Sequence, residues 1–358
     1  MSNDVYIRLR EFLHGLPAGF PATESGVELK ILEKLYTPEQ AEMAMCTSTI
    51  PETVSAIAAR RGMDESEAAE LLASMAKLGL LYRVRLGEDV LYMTNMFAVG
   101  VYEFNLNRID REFAEMFEEY QPSFSEFMRS IPTKQLRVVP VAETIDAVQS
   151  VASYNQVREL VAKHHTAAVA TCICRKERGL LGYECQKPHE TCLTFGMAAQ
   201  YYVENGIGRE ITIDEALRIL DQAEEAGLVL MPTNAVHIMN ICCCCGCCCG
   251  VLRTMSADPR PADLVQSSYQ ASIEEDLCDA CSTCLERCQI EAITEAEGGD
   301  VMVVDTARCI GCGLCVSTCP QEAISLVEKA GVEAPAADIV KMWARMAEER
   351  GLGGATQG

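Results

Sequence analysis

The sequence predicts an α+β protein built from several domains. Residues 24–103 combine helical spacing of apolar residues with a hairpin pattern, and residues 136–255 alternate between strand and helix patterns. Between residues 272 and 328 one spacing of cysteines occurs twice. The chain has 358 residues, of which 49% are apolar, so it is long enough for two or three globular domains.

Four helices and a hairpin are expected in the first domain, residues 24–103. The helices are indicated by apolar spacing and by end signals: a capping box at Thr37, a proline at Pro51, a capping aspartate at Asp64 and a terminating glycine at Gly79. Two apolar segments around a Gly-Glu-Asp turn predict the hairpin. Because this order is typical of a winged helix, the domain is predicted to be winged-helix-like.

Winged helices commonly bind DNA, but the charge of this domain argues against that function. The helix that would enter the groove carries Glu65, Glu67 and Glu70 against one cation, Lys77. Phosphate contacts need cations, and the chain as a whole has a net charge of −22. We therefore expect no nucleic-acid partner and a docking or structural role for the domain.

Two further helical regions are predicted outside the domains. Residues 104–135 are expected to be a helical connector, and residues 329–358 a C-terminal helix followed by a flexible tail. Met342, Trp343 and Met346 lie at helical spacing in the second region. We expect this aromatic-bearing helix and the acidic surface to dock onto a basic partner protein.

A cysteine-rich middle domain of α/β type is predicted for residues 136–255, followed by a linker over residues 256–271. Its elements are indicated by alternating or continuous apolar runs and by a capping box at Thr212. The predicted strands cover residues 138–141, 167–174 and 228–231, and the predicted helices cover residues 155–163 and the segment after Thr212.

Eight cysteines near the C-terminus form two copies of the motif C-x2-C-x2-C-x3-C. The first copy is Cys278, Cys281, Cys284 and Cys288, and the second is Cys309, Cys312, Cys315 and Cys319. Three thiolates of a tight loop bind three corners of one cubane, and the fourth ligand comes from the other copy. We therefore predict two [4Fe–4S] clusters with crossed ligands. One is held by Cys278, Cys281, Cys284 and Cys319, and the other by Cys309, Cys312, Cys315 and Cys288.

This module resembles the bacterial two-cluster ferredoxins over about a sixth of the chain. The resemblance implies a ferredoxin-like fold for residues 272–328 and transfer of electrons one at a time. Gln289 departs from the family, which usually has a proline after the fourth cysteine. A zinc site or a disulfide framework is the alternative, but zinc sites use pairs of C-x2-C rather than eight cysteines in this doubled order.

Eleven further cysteines in the middle domain predict at least one more iron–sulfur cluster. Seven of them form a run that is interrupted only by Gly246, and adjacent side chains of an extended segment point apart, so all seven cannot bind one centre. We expect the run not to be an ordinary buried strand. The thiols could supply two cubanes or one larger cluster, or could stay partly free, and packing as small apolar residues is the structural alternative. The candidate ligands are Cys172, Cys174, Cys185, Cys192, Cys242, Cys243, Cys244, Cys245, Cys247, Cys248 and Cys249.

Three neighbouring features refine this prediction. Cys172 and Cys174 would share one face of the predicted strand. Arg175 follows them, and its guanidinium would stabilise a cluster of net negative charge. His237 lies five residues before the run and could be a ligand or a proton donor, although a lone histidine is more often structural.

The whole layout is also similar to that of a family of iron–sulfur proteins from anaerobes. The shared features are a winged-helix-like N-terminal domain, the segment Thr171-Cys172-Ile173-Cys174-Arg175, the run from Cys242 to Cys249 and the two-cluster module. This resemblance implies an architecture and an anaerobic setting rather than an activity.

Electron transfer is the function that these features predict. We expect the chain to be a subunit or partner of a larger cytoplasmic oxidoreductase, relaying electrons between two ferredoxin-type clusters and a further cysteine-ligated cluster. An iron–sulfur enzyme that reduces a disulfide or small substrate at the middle centre is one alternative, and a redox-sensing winged-helix regulator is another. No signal peptide or membrane-spanning run is expected, and so many cysteines in a reducing cytosol indicate metal rather than disulfides.

Overall fold

The computed structural model describes residues 2–141 and 155–352. The part of the predicted middle domain between residues 142 and 154, and the flexible tail predicted beyond residue 352, lie outside the described residues. Within the described ranges, no helix is both long and apolar enough to cross a membrane.

Helices and one hairpin form the N-terminal region. Thr37 and Gln40 close the predicted capping box reciprocally, and Asp64 caps the long helix as predicted. The helix expected to start at Pro51 begins three residues later, because the Thr53 side chain accepts the Ala56 N–H and provides the N-cap. The elements are α1 (Ser2–His14), α2 (Val27–Leu35), α3 (Pro38–Ala44), α4 (Val54–Arg61), α5 (Glu65–Lys77), β1 (Tyr82–Leu86), β2 (Asp89–Met93), α6 (Tyr102–Phe104) and α7 (Arg111–Ser130).

The hairpin pairs β1 with β2 in antiparallel register, with Tyr82 opposite Met93. It follows the helices α2 to α5 in the order that the sequence predicts, while the assignment of this region to the winged-helix class stays a prediction. The predicted connector is the 20-residue helix α7, which packs against α2 and against two helices of the middle domain.

Two helices from opposite ends of the chain complete the N-terminal core. Helix α1, which was not predicted from the sequence, buries Leu9 and Leu13. Helix α14 (Ile339–Glu349) buries Trp343 and Met346 in the same core. Arg350 also donates to the carbonyl of His14 at 2.8 Å. The expectation that the aromatic-bearing helix docks onto a partner is therefore wrong, since its apolar face is already packed inside this chain.

A five-stranded antiparallel sheet with the order β5-β3-β4-β7-β6 forms the middle domain. The Thr212 side chain caps the helix that follows it, as predicted. The strands are β3 (Ala167–Thr171), β4 (Glu190–Phe195), β5 (Arg209–Ile211), β6 (Val229–Pro232) and β7 (Asn240–Cys244), and the helices are α8 (Val157–Ala162), α9 (Ile173–Leu180), α10 (Met197–Glu204), α11 (Ile213–Glu225) and α12 (Gly250–Ser256).

The two faces of this sheet contact different layers. Because side chains alternate along a strand, Ala168 and Ala170 of β3 face the N-terminal core and α10, whereas Val169 faces the other core with α11. The same alternation places Ile241 and Cys243 of β7 in the core with Val169.

Three predictions for this domain are wrong. The strand expected over residues 167–174 ends at Thr171, because the Cys172 carbonyl accepts the Lys176 N–H at 3.1 Å and starts α9. The run of cysteines does enter a buried strand, since β7 extends to Cys244 with hydrogen-bonded neighbours on both sides. Residues 138–141 form single bridges, such as Val139 with Leu230, rather than a strand.

The C-terminal module consists of two small antiparallel sheets, β8 with β11 and β9 with β10, and one short helix. Strand β8 begins inside the predicted linker and pairs Ile273 with Ile324. Gly311 has a φ of +67°, and a Cβ there would lie 2.0 Å from the Tyr269 carbonyl oxygen, so the fold requires glycine. The elements are β8 (Tyr269–Ile273), α13 (Thr283–Arg287), β9 (Ile293–Glu295), β10 (Met302–Val304) and β11 (Ile324–Glu328).

Candidate metal centres

The eight cysteines of the repeated motif fall into two groups in the structure. One small cleft is lined by Cys278, Cys281 and Cys284 of the first copy together with Cys319 of the second. Cys288 lies with the second copy: burial, with the nearby charges of Cys288 and Cys309, raises the pKa of the Cys312 thiol to about 12. These neighbours are the ones that the crossed prediction groups together, while the ligand sets themselves stay a prediction.

Backbone N–H groups point at three of these sulfur atoms. The N–H of Ala271 donates to Cys309 at 3.3 Å, that of Ala292 to Cys288 at 3.1 Å, and that of Met302 to Cys278 at 3.4 Å. Such bonds stabilise the negative charge of a thiolate-bound cluster and tune its reduction potential. Cys281 is the exposed member of the eight, so the site that contains it reaches the protein surface.

The middle domain brings four of its thiols into one compact tetrad. The tetrad consists of Cys185, from the loop after α9, and of Cys245, Cys247 and Cys248, from the turn between β7 and α12. All four Sγ atoms lie within 4.8 Å of one another, and Cys185 is 4.0 Å from Cys245 and 3.8 Å from Cys247.

These distances fit one metal ion. Four thiolates around a tetrahedral ion, with metal–sulfur bonds of about 2.3 Å, lie about 3.8 Å apart. In the described part of the chain, the tetrad is the one set of three or more possible ligands that is this compact, and the eight ferredoxin-type thiols are farther apart. The tetrad therefore suits a single tetrahedral zinc or iron ion better than a cubane.

The thiols of the tetrad differ in acidity. Burial raises the pKa of Cys245 to about 12. Burial acts in the same direction on Cys247, but hydrogen bonds from Cys245, Tyr183 and Cys185 outweigh it and lower the pKa of Cys247. A metal ion bound by the tetrad would draw its ligands into the thiolate form.

Six other thiols form a second group, which we call the thiol face. Hydrogen bonds link five of them in the order Cys172, Cys174, Cys249, Cys244 and Cys242. The sixth, Cys192 of β4, lies directly opposite Cys242 of β7 in the sheet register. The eleventh cysteine, Cys243, points to the opposite side of β7 and packs in the apolar core.

Two members of the thiol face have lowered pKa values, and both precede a helix. The hydrogen bond from Cys174, with the charge of Arg175, lowers the pKa of Cys172 to about 7. Hydrogen bonds from Cys174 and Cys244, helped by backbone N–H groups at the start of α12, hold the pKa of Cys249 well below its ordinary value. These two thiols are therefore more readily deprotonated than an ordinary cysteine, as binding of a cation requires.

Arg175 lies between the tetrad and the thiol face, as the sequence suggested. It is 1% exposed and donates to the Thr191 hydroxyl at 2.7 Å and to the Cys243 carbonyl at 2.9 Å. Burial acts to lower the pKa of its guanidinium, but the charges of Cys172 in the thiol face and of Cys245 in the tetrad raise it above the ordinary value. Arg175 is thus a permanent cation for both thiol groups.

His237 is not brought to either thiol group. Its side chain is exposed, its backbone N–H donates to the Ala337 carbonyl at 3.0 Å, and its charge acts on His164. It does not line the cavity beside the thiol face. The structure therefore gives no support to the prediction of His237 as a ligand or proton donor.

A cavity of about 220 Å³ lies against the thiol face. Its opposite wall comes from α7 and includes Phe117, Phe124 and Met128. Two carboxyl groups also line it, and burial raises the pKa of both Glu103 and Glu177 to about 7. Neither glutamate could be recognised from the sequence, because acidic residues are common in this chain and nothing in their spacing marks these two. The apolar residues of α7 were a signal that could have indicated this wall of the cavity.

Glu177 is the most enclosed carboxyl group of the cavity. It is 4% exposed, and its Oε2 accepts the Tyr102 hydroxyl at 2.7 Å. Its Oε1 has no hydrogen-bond partner among the described residues. A buried oxygen of this kind is costly unless something in the cavity binds to it.

The tetrad loop touches the ferredoxin-like module directly. The N–H of Gly246 donates to the Gln289 Oε1 at 2.9 Å, and a Cβ at Gly246 would lie 2.5 Å from the Gln289 carbonyl oxygen. Gln289 follows the cluster ligand candidate Cys288 and stands where related modules have proline. The departure from the family therefore provides one of the hydrogen bonds that join the two regions.

The comparison with protein families agrees with this geometry. Residues 271–326 match the family model described as a 4Fe-4S dicluster domain. Neither the comparison with curated proteins nor the comparison with solved structures found a match. The C-terminal part of the chain is thus a 4Fe–4S dicluster domain beside a compact cysteine tetrad, and the protein is an iron–sulfur protein.

Proposed function

We propose that this protein relays electrons between the two clusters of the C-terminal domain and an iron ion bound by the tetrad, as a component of a larger cytoplasmic oxidoreductase. Clusters of this type accept and release one electron at a time. The observation that carries the proposal is the contact between Gly246 of the tetrad loop and Gln289, the neighbour of Cys288.

The exposure of the cysteines supports a direction for the relay. Cys281 is exposed, so a partner can approach the site that contains it. Cys288 belongs to the other group and lies on the side of the middle domain, one residue from the contact with Gly246. The two groups and the tetrad would thus form one path, from the exposed Cys281 through the group of Cys288 to the tetrad.

The charge of the chain supports a basic partner. A net charge of −22 creates a field that attracts basic surfaces and repels phosphate backbones and anionic lipid. Docking near Cys281 would then depend on salt concentration, because exposed charges are screened within about 8–10 Å at ordinary ionic strength.

Iron in the tetrad is the part of this proposal that an experiment can decide. We would purify the protein without oxygen and record the high-spin ferric signal of the tetrad by electron paramagnetic resonance. The variant Cys185→Ala/Cys247→Ala should lose this signal and about one iron per chain, with no loss of acid-labile sulfide. Stepwise addition of reductant through the clusters should bleach the ferric signal in the wild type.

The control is Cys243→Ala, which removes a buried thiol of the same strand from the opposite side of the sheet. It should keep the ferric signal and the iron content. Zinc in the tetrad, or a ferric signal that stays unchanged while the clusters are reduced, would contradict the relay.

A further inference from the structure

The six thiols of the thiol face have no part in the relay. We infer that four of the thiols Cys172, Cys174, Cys192, Cys242, Cys244 and Cys249 bind a separate iron–sulfur cluster of the cubane class, seated in the cavity against them. A cubane has four iron atoms and needs four thiolates, so the thiol face offers enough ligands for one. This inference concerns different cysteines from the tetrad and holds whatever metal the tetrad contains.

The origin of the six thiols argues against simple core packing. They come from four separate places: the start of α9, strand β4, strand β7 and the start of α12. Their side chains line a cavity of about 220 Å³ instead of filling the space against α7. Since an empty cavity of this size destabilises a folded protein, a fold that keeps one beside six thiols is best explained by a bound group.

The spacing of the six thiols indicates a cluster rather than one ion. A single tetrahedral ion requires thiolates about 3.8 Å apart, as in the tetrad. Within the described residues, no set of three thiols from the thiol face meets the 4.8 Å limit that the tetrad meets. The eight ferredoxin-type cysteines do not meet it either, although their domain is one that holds [4Fe–4S] clusters. The thiol face therefore has the wider spacing found at the cluster sites of the same chain.

Backbone N–H groups near the sulfur atoms are a second feature that the thiol face shares with those cluster sites. Cys172 and Cys249 are the N-cap residues of α9 and α12, and the first N–H groups of a helix have no intrahelical partner. In the C-terminal domain, backbone N–H groups donate to Cys278, Cys288 and Cys309. Such donors, with the buried guanidinium of Arg175, stabilise the net negative charge of a thiolate-bound cluster.

The remaining wall of the cavity supports a bound group as well. Glu177 is 4% exposed, lines the cavity and leaves its Oε1 without a hydrogen-bond partner in the described part of the chain. Phe117 and Phe124 contribute apolar surface to the same wall. A cluster held on the thiol side would thus face this apolar surface and the free oxygen of Glu177.

Counting acid-labile sulfide tests the inference, because a cubane contains sulfide and a single ion does not. Wild-type protein purified without oxygen should contain about twelve sulfides per chain, about four more than two cubanes supply. The variant Cys174→Ala/Cys244→Ala/Cys249→Ala leaves three thiols in the thiol face, too few for a cubane, and should lose about four irons and about four sulfides. The tetrad variant Cys185→Ala/Cys247→Ala should lose no sulfide.

Cys243→Ala is the matched control, since Cys243 lies between two members of the thiol face but packs on the other side of β7. It should retain all of the sulfide. About eight sulfides in the wild type would overturn the inference even if the triple variant failed to fold, and so would unchanged sulfide in a folded triple variant. Zinc in the tetrad together with about twelve sulfides would refute the relay and leave this site standing.

Discussion

The C-terminal domain and the middle domain both gather thiols, but they do so by different means. In the C-terminal domain, each motif extends over a short loop, from Cys278 to Cys288 and from Cys309 to Cys319. In the middle domain, the thiols come from strands, helix starts and a turn between Cys172 and Cys249. The first arrangement is local and can be recognised from spacing, whereas the second exists only once the sheet has formed.

The two regions also differ in how they treat charge. Cys281 is exposed and Asp279 beside it is fully solvated, so solvent screens the edge of the C-terminal domain. In the middle domain, Arg175 is 1% exposed and serves two groups of thiols at once. We expect substitutions in the middle domain to affect several sites together, and those in the C-terminal domain to affect one cluster each.

The largest effect is expected from removing ligands of the C-terminal domain in pairs. If the ligands are crossed, Cys278→Ala/Cys319→Ala removes two ligands of one cluster and should cost about four irons. Cys309→Ala/Cys319→Ala takes one ligand from each cluster and should cost about eight. Iron and sulfide counting after anaerobic purification measures the difference.

The pair Cys309→Ala/Cys319→Ala also serves as the control for the grouping, because both cysteines belong to one sequence motif. Uncrossed ligands would reverse the two results. Such a reversal would show that all four ligands of each cluster come from one loop. The crossed ligand sets predicted from the cysteine spacing would then be wrong.

A smaller effect is expected where the two regions meet. Gln289→Leu removes the acceptor of the Gly246 N–H and should lower stability by about 1–3 kcal/mol. Gly246→Ala should act in the same direction by a different route, since the new methyl group meets the Gln289 carbonyl. Chemical denaturation without oxygen measures the free energy of unfolding. The rate at which the tetrad is reduced through the clusters measures the electron transfer between the two regions.

Gln321→Leu is the matched control for that contact. Gln321 is exposed and lies in the C-terminal domain, where its side chain bonds to Asp279 at 2.8 Å. This variant should stay within about 0.5 kcal/mol of the wild type and reduce the tetrad at the same rate. Equal rates in Gln289→Leu and the wild type would argue that the contact has no part in electron transfer.

The smallest effect concerns the buried carboxyl of the cavity. Burial raises the pKa of Glu177 from its ordinary value to about 7, so the folded state binds its proton more tightly than the unfolded state. Its contribution to stability is complete below about pH 4.5 and is lost as the pH rises through about 7. Glu177→Gln keeps a neutral group there, so its apparent melting temperature relative to the wild type should rise between about pH 5 and about pH 8.

The exposed residue Glu119, which belongs to α7, provides the comparison. Glu119→Gln removes a carboxyl group from the exposed side of α7, and its melting temperatures over the same pH range provide the baseline. A difference for Glu177→Gln that does not change with pH would mean that this carboxyl is not enclosed as the cavity suggests.

Much of the local structure could be predicted from single segments. The caps at Thr37, Asp64 and Thr212 were recognised because a cap depends on a side chain and backbone groups two or three residues away. The start of α9 was missed, since Ala167 to Cys174 reads as a continuous apolar run and no capping side chain marks Cys172. An apolar run of this kind does not show whether the whole segment is one strand or a strand followed directly by a helix.

The burial of the C-terminal helix was also beyond the sequence. The apolar spacing of Trp343 and Met346 predicted a helix with an apolar face, which the structure has. What covers that face is decided by α1 and the N-terminal core, more than 300 residues away in the chain. Periodicity shows that a face must be buried and leaves open whether this chain or a partner buries it.

By itself, the sequence predicted an iron–sulfur protein with two ferredoxin-type clusters, because three predicted ligands of each cubane lie within a few residues of one another. Only the tertiary structure divided the eleven thiols of the middle domain into a tetrad, a thiol face and one core residue. That division follows from the alternation of side chains along β7, from its register with β4, and from the turn at Gly246. These relations join residues far apart in the chain, so no spacing along the sequence could express them.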